Sequence, residues 1–156
     1  MIELRPASCD ELGALWEIRT RAVAHSCAAH YSEAVLAAWL AAPAPDSLRE
    51  LVANGGGMVA QEAGRLLAYA VLDTATGEVT AVFVDPAAQG RGVGSMLLDA
   101  LQGAAGAAGV KRLFLSASLN AVPFYERAGF IALREELYPH RSGIGIPCVY
   151  MEKALA

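Results

Sequence analysis

The stretch that most constrains the fold runs through residues 79–95. An apolar run, Val79-Thr80-Ala81-Val82-Phe83-Val84, has the length and composition of a strand. Asp85-Pro86 turns the chain, Gly90, Gly92 and Gly94 follow at alternate positions, and an amphipathic helix begins behind them. Such a turn can leave several N–H groups free at a helix N-terminus. Together with the positive end of the helix dipole, they suit an anion, typically phosphate. Glycine allows positive φ and close approach of the anion to the backbone. A plain glycine-rich strand-to-helix connection explains the same residues, and the glycines alone leave both readings open.

The flanking patterns assemble a single domain over residues 1–156 around this turn. Residues 1–6 read as a strand. Ser8 and Glu11 form a capping box, opening a helix with Leu12, Leu15, Trp16, Ala22 and Val23 on a stripe broken once by Arg19. Ser32 can cap a helix over 33–41, stopped by Pro43 and Pro45, and a short helix is expected over 46–54. From Met58 the period becomes two. Strands over 58–61, 65–73 and 78–84 are joined by tight turns, as in an antiparallel meander. The helix after the glycines carries Val93, Met96, Leu97, Ala100, Leu101 and Ala104 on one expected face. A buried strand over 112–116 should run parallel to 78–84 across that helix. A last helix spans 121–128, ended by Gly129 as an αL cap with Phe130 folding back, and strands over 130–137 and 147–153 close the chain. The order implies an α/β (α+β) fold: one mixed sheet with helices on both faces.

Composition narrows the partners. The formal net charge of −4 offers no basic field for nucleic acid or an anionic membrane. No apolar run approaches the roughly 18 residues of a spanning helix, and residues 1–6 lack the apolar core of a signal peptide. Three cysteines, Cys9, Cys27 and Cys148, fit neither a disulfide framework nor a zinc pattern, so a reducing cytoplasm and no metal are expected.

Two familiar phosphate loops fail. A Walker A loop needs lysine before its Ser/Thr, and Gly94-Ser95 has none. A dinucleotide fingerprint needs Gly-x-Gly-x-x-Gly and an acid about 20 residues on, whereas the glycines here alternate and position 114 is Phe. The remaining pattern is Gln/Arg-x-x-Gly-x-Gly, met by Gln89, Gly92 and Gly94 after Val82-Phe83-Val84-Asp85-Pro86. It resembles the acetyl-CoA loop of the GNAT superfamily of N-acetyltransferases. Asn120-Ala121-Val122-Pro123-Phe124-Tyr125-Glu126-Arg127-Ala128-Gly129-Phe130 resembles the family's later signature, and the element order agrees over essentially the whole chain. The N-terminal half and the ending 146–153 are similar to a small bacterial subgroup of uncertain substrate.

The resemblance implies a GNAT-type, mostly antiparallel sheet of about seven strands, acetyl-CoA as cofactor, and residue roles. Gln89, Gly90, Arg91, Gly92, Val93, Gly94 and Ser95 would hold the pyrophosphate. The backbone of Val82, Phe83 and Val84 would pair with the pantetheine arm, which requires the sheet to splay there. Asn120 would bond that arm, or else serve as a helix N-cap; Phe124 would border the cofactor. Tyr125 would give a proton or hydrogen bond to the departing thiolate, a thiol of reference pKa about 8.5 against about 10 for tyrosine; it equally suits packing beside Phe124. Glu78 would be the general base or a solvated turn residue. Asp73, His25, His30, Tyr31 and His140 are other base or substrate candidates. Acceptor choice would fall to residues 25–32 and 138–146, with His30, Tyr31, Tyr138 and Arg141 as contacts; Arg141 could bind a carboxylate or stay a solvated cation. The expected function is direct transfer of acetyl to an amine of a small molecule, peptide or protein, by a monomer or homodimer. The alternative is a CoA-binding sensor or interaction module without transferase activity.

Overall fold

A computed structural model describes residues 1–155. The short strand β1 (Glu3–Pro6) leads into a 3-10 turn at Cys9–Glu11 and helix α1 (Leu12–Ser26). The expected capping box is present: the Ser8 hydroxyl accepts from Asp10 N at 3.2 Å, and Glu11 Oε1 accepts from Ser8 N at 2.9 Å. Arg5 locks the same carboxylate from β1 with two further hydrogen bonds, so strand and helix entry are tied together. Ser32 caps α2 (Glu33–Ala41) through Val35 N, and α3 (Asp46–Ala53) follows Pro45. The meander of β2 (Gly57–Glu62), β3 (Arg65–Asp73) and β4 (Glu78–Val84) is antiparallel throughout. Then come α4 (Val93–Ala107), β5 (Arg112–Ser118), α5 (Val122–Arg127), β6 (Ile131–Pro139) and β7 (Gly145–Ala154).

The strands form one seven-stranded sheet in the order β1-β2-β3-β4-β5-β7-β6, and only β4–β5 is parallel. This is the GNAT-like, mostly antiparallel mixed sheet. Chain order does not foretell the place of β7, which inserts between β5 and β6 and pairs with β5 from Arg112 to Ser118. The β4–β5 ladder has a single rung, Glu78 opposite Phe114, closed by Phe114 N–H donating to the Gly77 carbonyl at 3.1 Å. Beyond it the two strands diverge. A bulge explains the direction: Val71 pairs with Ala81 and Leu72 with Val79, so Thr80 is an extra residue that bends β4 away from its neighbour. Gly77 is the rivet at the closed end. Its φ is +89°, and a Cβ there would stand 2.3 Å from the Arg112 carbonyl oxygen.

Helices cover both faces. On one, α4 and α5 bury Leu97, Leu101, Leu113, Tyr125 and Met151; on the other, α1 and α3 bury Leu15, Ile18, Val52, Val59 and Val71. Each fully buried leucine contributes about 1.5–3 kcal/mol relative to exposure. The expected inner face of α4 needs correction. Val93, Leu97 and Leu101 are buried, but Leu98 and Ala105 join them, while Met96 and Ala104 are exposed. The alanines and glycines on both flanks of this helix give little hydrophobic contrast. The flank is decided instead by the sheet, since α4 packs on β2, β3 and β4; Phe124 of α5 lies over Gly94 in its first turn. Gly129 has the expected positive φ, and Phe130 N–H returns to the Tyr125 carbonyl at 3.0 Å. Among the described residues, no helix is long and apolar enough to cross a membrane.

Candidate active site

The divergence of β4 from β5 leaves unpaired backbone on both strands and opens two cavities. The first, of 390 Å³, is lined by Val82, Phe83, Val84, Gln89, Gly90, Gly92, Val93, Gly94, Ser95, Asn120 and Phe124, with Ser26 and Cys27 of α1 and its C-cap on the far side. The second, of 500 Å³, holds Glu78, Asp73, Tyr125, Tyr31, Tyr138, His140 and Arg141. Both share Trp39, Val82, Phe83, Ser118 and Ala121 as walls. The two spaces therefore meet where the sheet is split.

The loop after β4 is built to leave its amides free. Asp85, 6% exposed, caps the Pro86–Ala88 turn by accepting from Ala87 N at 3.0 Å, and takes Arg21 Nη2 of α1 at 2.7 Å. Burial would raise the Asp85 pKa, but the Ala87 amide and Arg21 hold it below its ordinary value. Gly90 (φ +81°) and Gly92 (φ +75°) sit in the left-handed region with nothing within 4 Å of a would-be Cβ. Gly92 is the N-cap residue of α4, and no side chain caps that end, so the first-turn N–H groups lack a side-chain partner. Open space before free amides at the positive end of a 15-residue helix fits an anionic group such as a pyrophosphate. Gly94 has another reason: its Cβ would meet Phe124 at 3.3 Å. Arg91 lines neither cavity. Its guanidinium makes two 2.9 Å bonds to Glu62 of the β2–β3 hairpin and fastens the outside of the loop. Gln89 Nε2 donates to Ser26 Oγ at 3.1 Å.

Asn120 lies in the 3-10 turn Leu119–Ala121 and does not cap α5, whose N-cap position is Ala121 without a side-chain bond. Its Oδ1 accepts from the Cys27 thiol at 3.2 Å, and it faces the first cavity. Burial pushes the Cys27 pKa up to about 11, so the thiol stays neutral. Tyr125, 7% exposed, packs edge-on against Phe124 and Phe130 with ring centroids 5.0 and 5.6 Å away. It lies on the second cavity, and burial raises its pKa. Glu78 is half-buried opposite Asp73; burial first, then the Asp73 charge, raise its pKa.

The acceptor-side expectations divide. Tyr31 is on the cavity wall but its hydroxyl is spent: it donates to the Pro147 carbonyl at 2.6 Å and accepts from Leu119 N at 2.9 Å. Burial pushes its pKa up to about 12. Tyr138 and Arg141 line the cavity mouth, and Arg141 donates to the Pro43 carbonyl. His30 needs correction. It is exposed in the turn after α1 and lines neither cavity, because that turn folds outward on the bond from His30 N to the Cys27 carbonyl. Sequence reasoning passed over Ser118 and Trp39, which wall both cavities, and Arg19, which is 3% exposed. Ser118 and Trp39 carried no periodic signal. Arg19 did: it was the one charge on the apolar stripe of α1. Among the described residues no His, Cys, Asp and Glu cluster could hold a metal ion.

A family profile described as an acetyltransferase (GNAT) domain matches residues 27–155. The chain therefore belongs to the GNAT acetyltransferase family. Among solved structures, a GCN5-related N-acetyltransferase from Rhodopseudomonas palustris is 27% identical, with a TM-score of 0.88 over 98% of this chain and 95% of that one. The PaiA N-acetyltransferase of Thermoplasma acidophilum, solved with coenzyme A, is 19% identical with a TM-score of 0.77, covering 99% of each chain. YncA of Salmonella typhimurium, solved with its cofactor acetyl-CoA, is 22% identical with a TM-score of 0.72, over 100% of this chain and 95% of that one. A search of curated protein sequences gave no match.

Proposed function

We propose that the chain transfers acetyl from acetyl-CoA directly to the amine of a small molecule or peptide. The observation that carries this reading is the single-rung β4–β5 junction, which joins an anion-suited loop to a second, acid-bearing cavity through shared walls. In this reading the amides of Gly90, Gly92, Val93, Gly94 and Ser95 hold the pyrophosphate. The unpaired backbone of Val82, Phe83 and Val84 takes the pantetheine arm as an added strand. Asn120 and Phe124 border that arm, and the amine enters from the second cavity.

The amine must be neutral when its nitrogen attacks the thioester carbonyl. A C–N bond forms, the C–S bond breaks, the nitrogen sheds a proton and the sulfur gains one. Glu78, toward the far end of the second cavity, takes the amine's proton through bridging water. A raised carboxylate pKa brings it nearer the working pH, where a general base is most effective. Tyr125, kept protonated by burial, donates to the sulfur. Cys148, buried and with a raised pKa, is a poor nucleophile, in keeping with a direct route and no acyl-cysteine. Three free cysteines support the reading of a reducing, cytoplasmic setting.

The second-copy question rests on β6. This edge strand is exposed along its length and carries Ile131, Leu133, Leu137 and Tyr138 on the surface. A homodimer through that edge would cover them. The test of the reading is thiol release from acetyl-CoA across a panel of amines, with Tyr125→Phe beside the wild type. Release with a slower Tyr125→Phe at nearly unchanged acetyl-CoA affinity is the expected result. Acetyl-CoA binding without release across the panel would favour the non-catalytic sensor.

A further inference from the structure

The second cavity is electrically two-ended. At one end Arg19, Arg141 and His140 converge from α1 and from the turn between β6 and β7. Arg19 is the decisive residue. At 3% exposure it is buried, yet among the described residues no carboxylate lies within ion-pair distance. Its guanidinium lies 4.2 Å from the Trp16 ring centroid and donates to the Trp39 carbonyl and, at 3.4 Å, to Thr20 Oγ1. A buried charge lacking a counter-ion carries a desolvation penalty, which a bound anion would offset. Arg141 is also without a carboxylate, its Nη2 spent on the Pro43 carbonyl. His140 Nδ1 is held within its own turn by Ser142, 2.8 Å from the hydroxyl and 3.3 Å from the amide nitrogen. Burial, then Arg19 and Arg141, lower the His140 pKa, in keeping with uncompensated positive charge at this end.

The cavity's carboxylates, Asp73 and Glu78, lie at the other end. Asp73 is four residues along β3 from Tyr69, about 13 Å at the usual strand rise. The cationic end, by contrast, adjoins the place where the two cavities meet. Arg19 bonds the backbone of Trp39, a wall of both, and Tyr69 pairs with Phe83, another shared wall. An acceptor whose amine reaches the thioester therefore has positive side chains only a short distance from its nitrogen.

We propose that the acceptor is a small amino carboxylate, an α-amino acid or close relative, whose carboxylate is held by Arg19 and Arg141 with His140 beside them. Its side chain extends toward the Asp73–Glu78 end, along Tyr31 and Phe83. The inference rests on the transferase reading above. It names the acceptor class and makes Arg19 and Arg141 specificity-determining residues.

The experiment uses matched triplets: an amino acid, its carboxamide and its decarboxylated amine, for aromatic, aliphatic and acidic side chains. Thiol release is followed for the wild type, Arg141→Ala and Arg19→Lys. Arg141 is exposed, so its removal should leave the fold intact. At least one amino acid should exceed both of its partners in kcat/KM by tenfold or more. Arg141→Ala should cut that preference about tenfold through KM, and Arg19→Lys should weaken it. Equal or better turnover of amides and decarboxylated amines, with the ratio unmoved in Arg141→Ala, overturns the inference and leaves the transferase reading standing. No thiol release from any amine, with acetyl-CoA still bound, defeats both.

Discussion

Gly92 and Gly109 provide a matched pair that separates cofactor binding from backbone strain. Both have left-handed backbone, φ +75° and φ +82°, and neither has an atom within 4 Å of an added Cβ. Replacing either by alanine costs about 1–2 kcal/mol, because an L side chain in that region crowds its own carbonyl. For a chain of this length, each kcal/mol lowers Tm by about 2–4 °C. The two variants should therefore melt within a few degrees of each other and below the wild type. They differ in place. Gly92 opens α4 on the wall of the first cavity, whereas Gly109 lies beyond the far end of α4 and lines neither cavity. A methyl at Gly92 enters the space an anion would use and holds it off the amides. Losing one or two charge-assisted hydrogen bonds of about 1.5–3 kcal/mol each reduces affinity by roughly tenfold to more than ten-thousandfold. Calorimetric titration with CoA should show that loss for Gly92→Ala and wild-type affinity for Gly109→Ala. Equal affinity in the two variants would refute the loop assignment, whatever their Tm values.

Two further predictions concern the closed end of the split sheet. Gly77→Ala combines left-handed strain with a Cβ 2.3 Å from a backbone oxygen that cannot rotate away. It should cost roughly 2–5 kcal/mol, well beyond Gly109→Ala in the same thermal melt. Glu78 has its pKa raised above 4.5 by burial and then by Asp73, so the folded chain binds its proton more tightly than the unfolded chain does. That contribution is present below the ordinary glutamate value and is lost as pH rises through the raised one. Glu78→Gln should therefore gain Tm relative to the wild type across that window and hold a constant offset above it. The same substitution should lower acetyl transfer and remove the wild type's acidic limb; an unchanged pH–rate profile would dismiss Glu78 as the base.

Local signals carried much of the fold. Ser8 with Glu11, Ser32, Gly129 with Phe130, and the switch of period at Met58 each act within a few residues. The structure realises them as caps, a helix stop and a meander. Long-range choices were less legible. The insertion of β7 between β5 and β6 depends on pairing across 30 to 42 residues, from Ser118 with Cys148 to Arg112 with Ala154, and nothing in its alternation selects that neighbour. The buried flank of α4 depended on the side from which β2, β3 and β4 meet it, since alanine and glycine mark no face of their own.

The candidate site follows the same division. The glycines of residues 89–95 alone left two readings open, and only their spacing from Gln89 together with the pattern at 120–130 singled out one; the splay expected from family resemblance is present, with its cause in the Thr80 bulge. The direction of a side chain was not readable. His30 faces outward, the Tyr31 hydroxyl is consumed by two backbone bonds, and Asn120 holds a cysteine rather than a helix end. Arg19 was visible as an interruption of an apolar stripe, but its meaning depended on Trp39 and Arg141, brought to it from distant positions.

The central claim is that the split between β4 and β5 holds acetyl-CoA, with its phosphates on the loop and its thioester between the two cavities. The most direct measurement is the structure of this chain with CoA bound. The account predicts pyrophosphate oxygens within hydrogen-bond distance of the amides of Gly90 to Ser95, the arm paired with Val82 and Val84, and the sulfur near Tyr125. CoA bound elsewhere, or a loop whose amides turn away from it, would contradict the account.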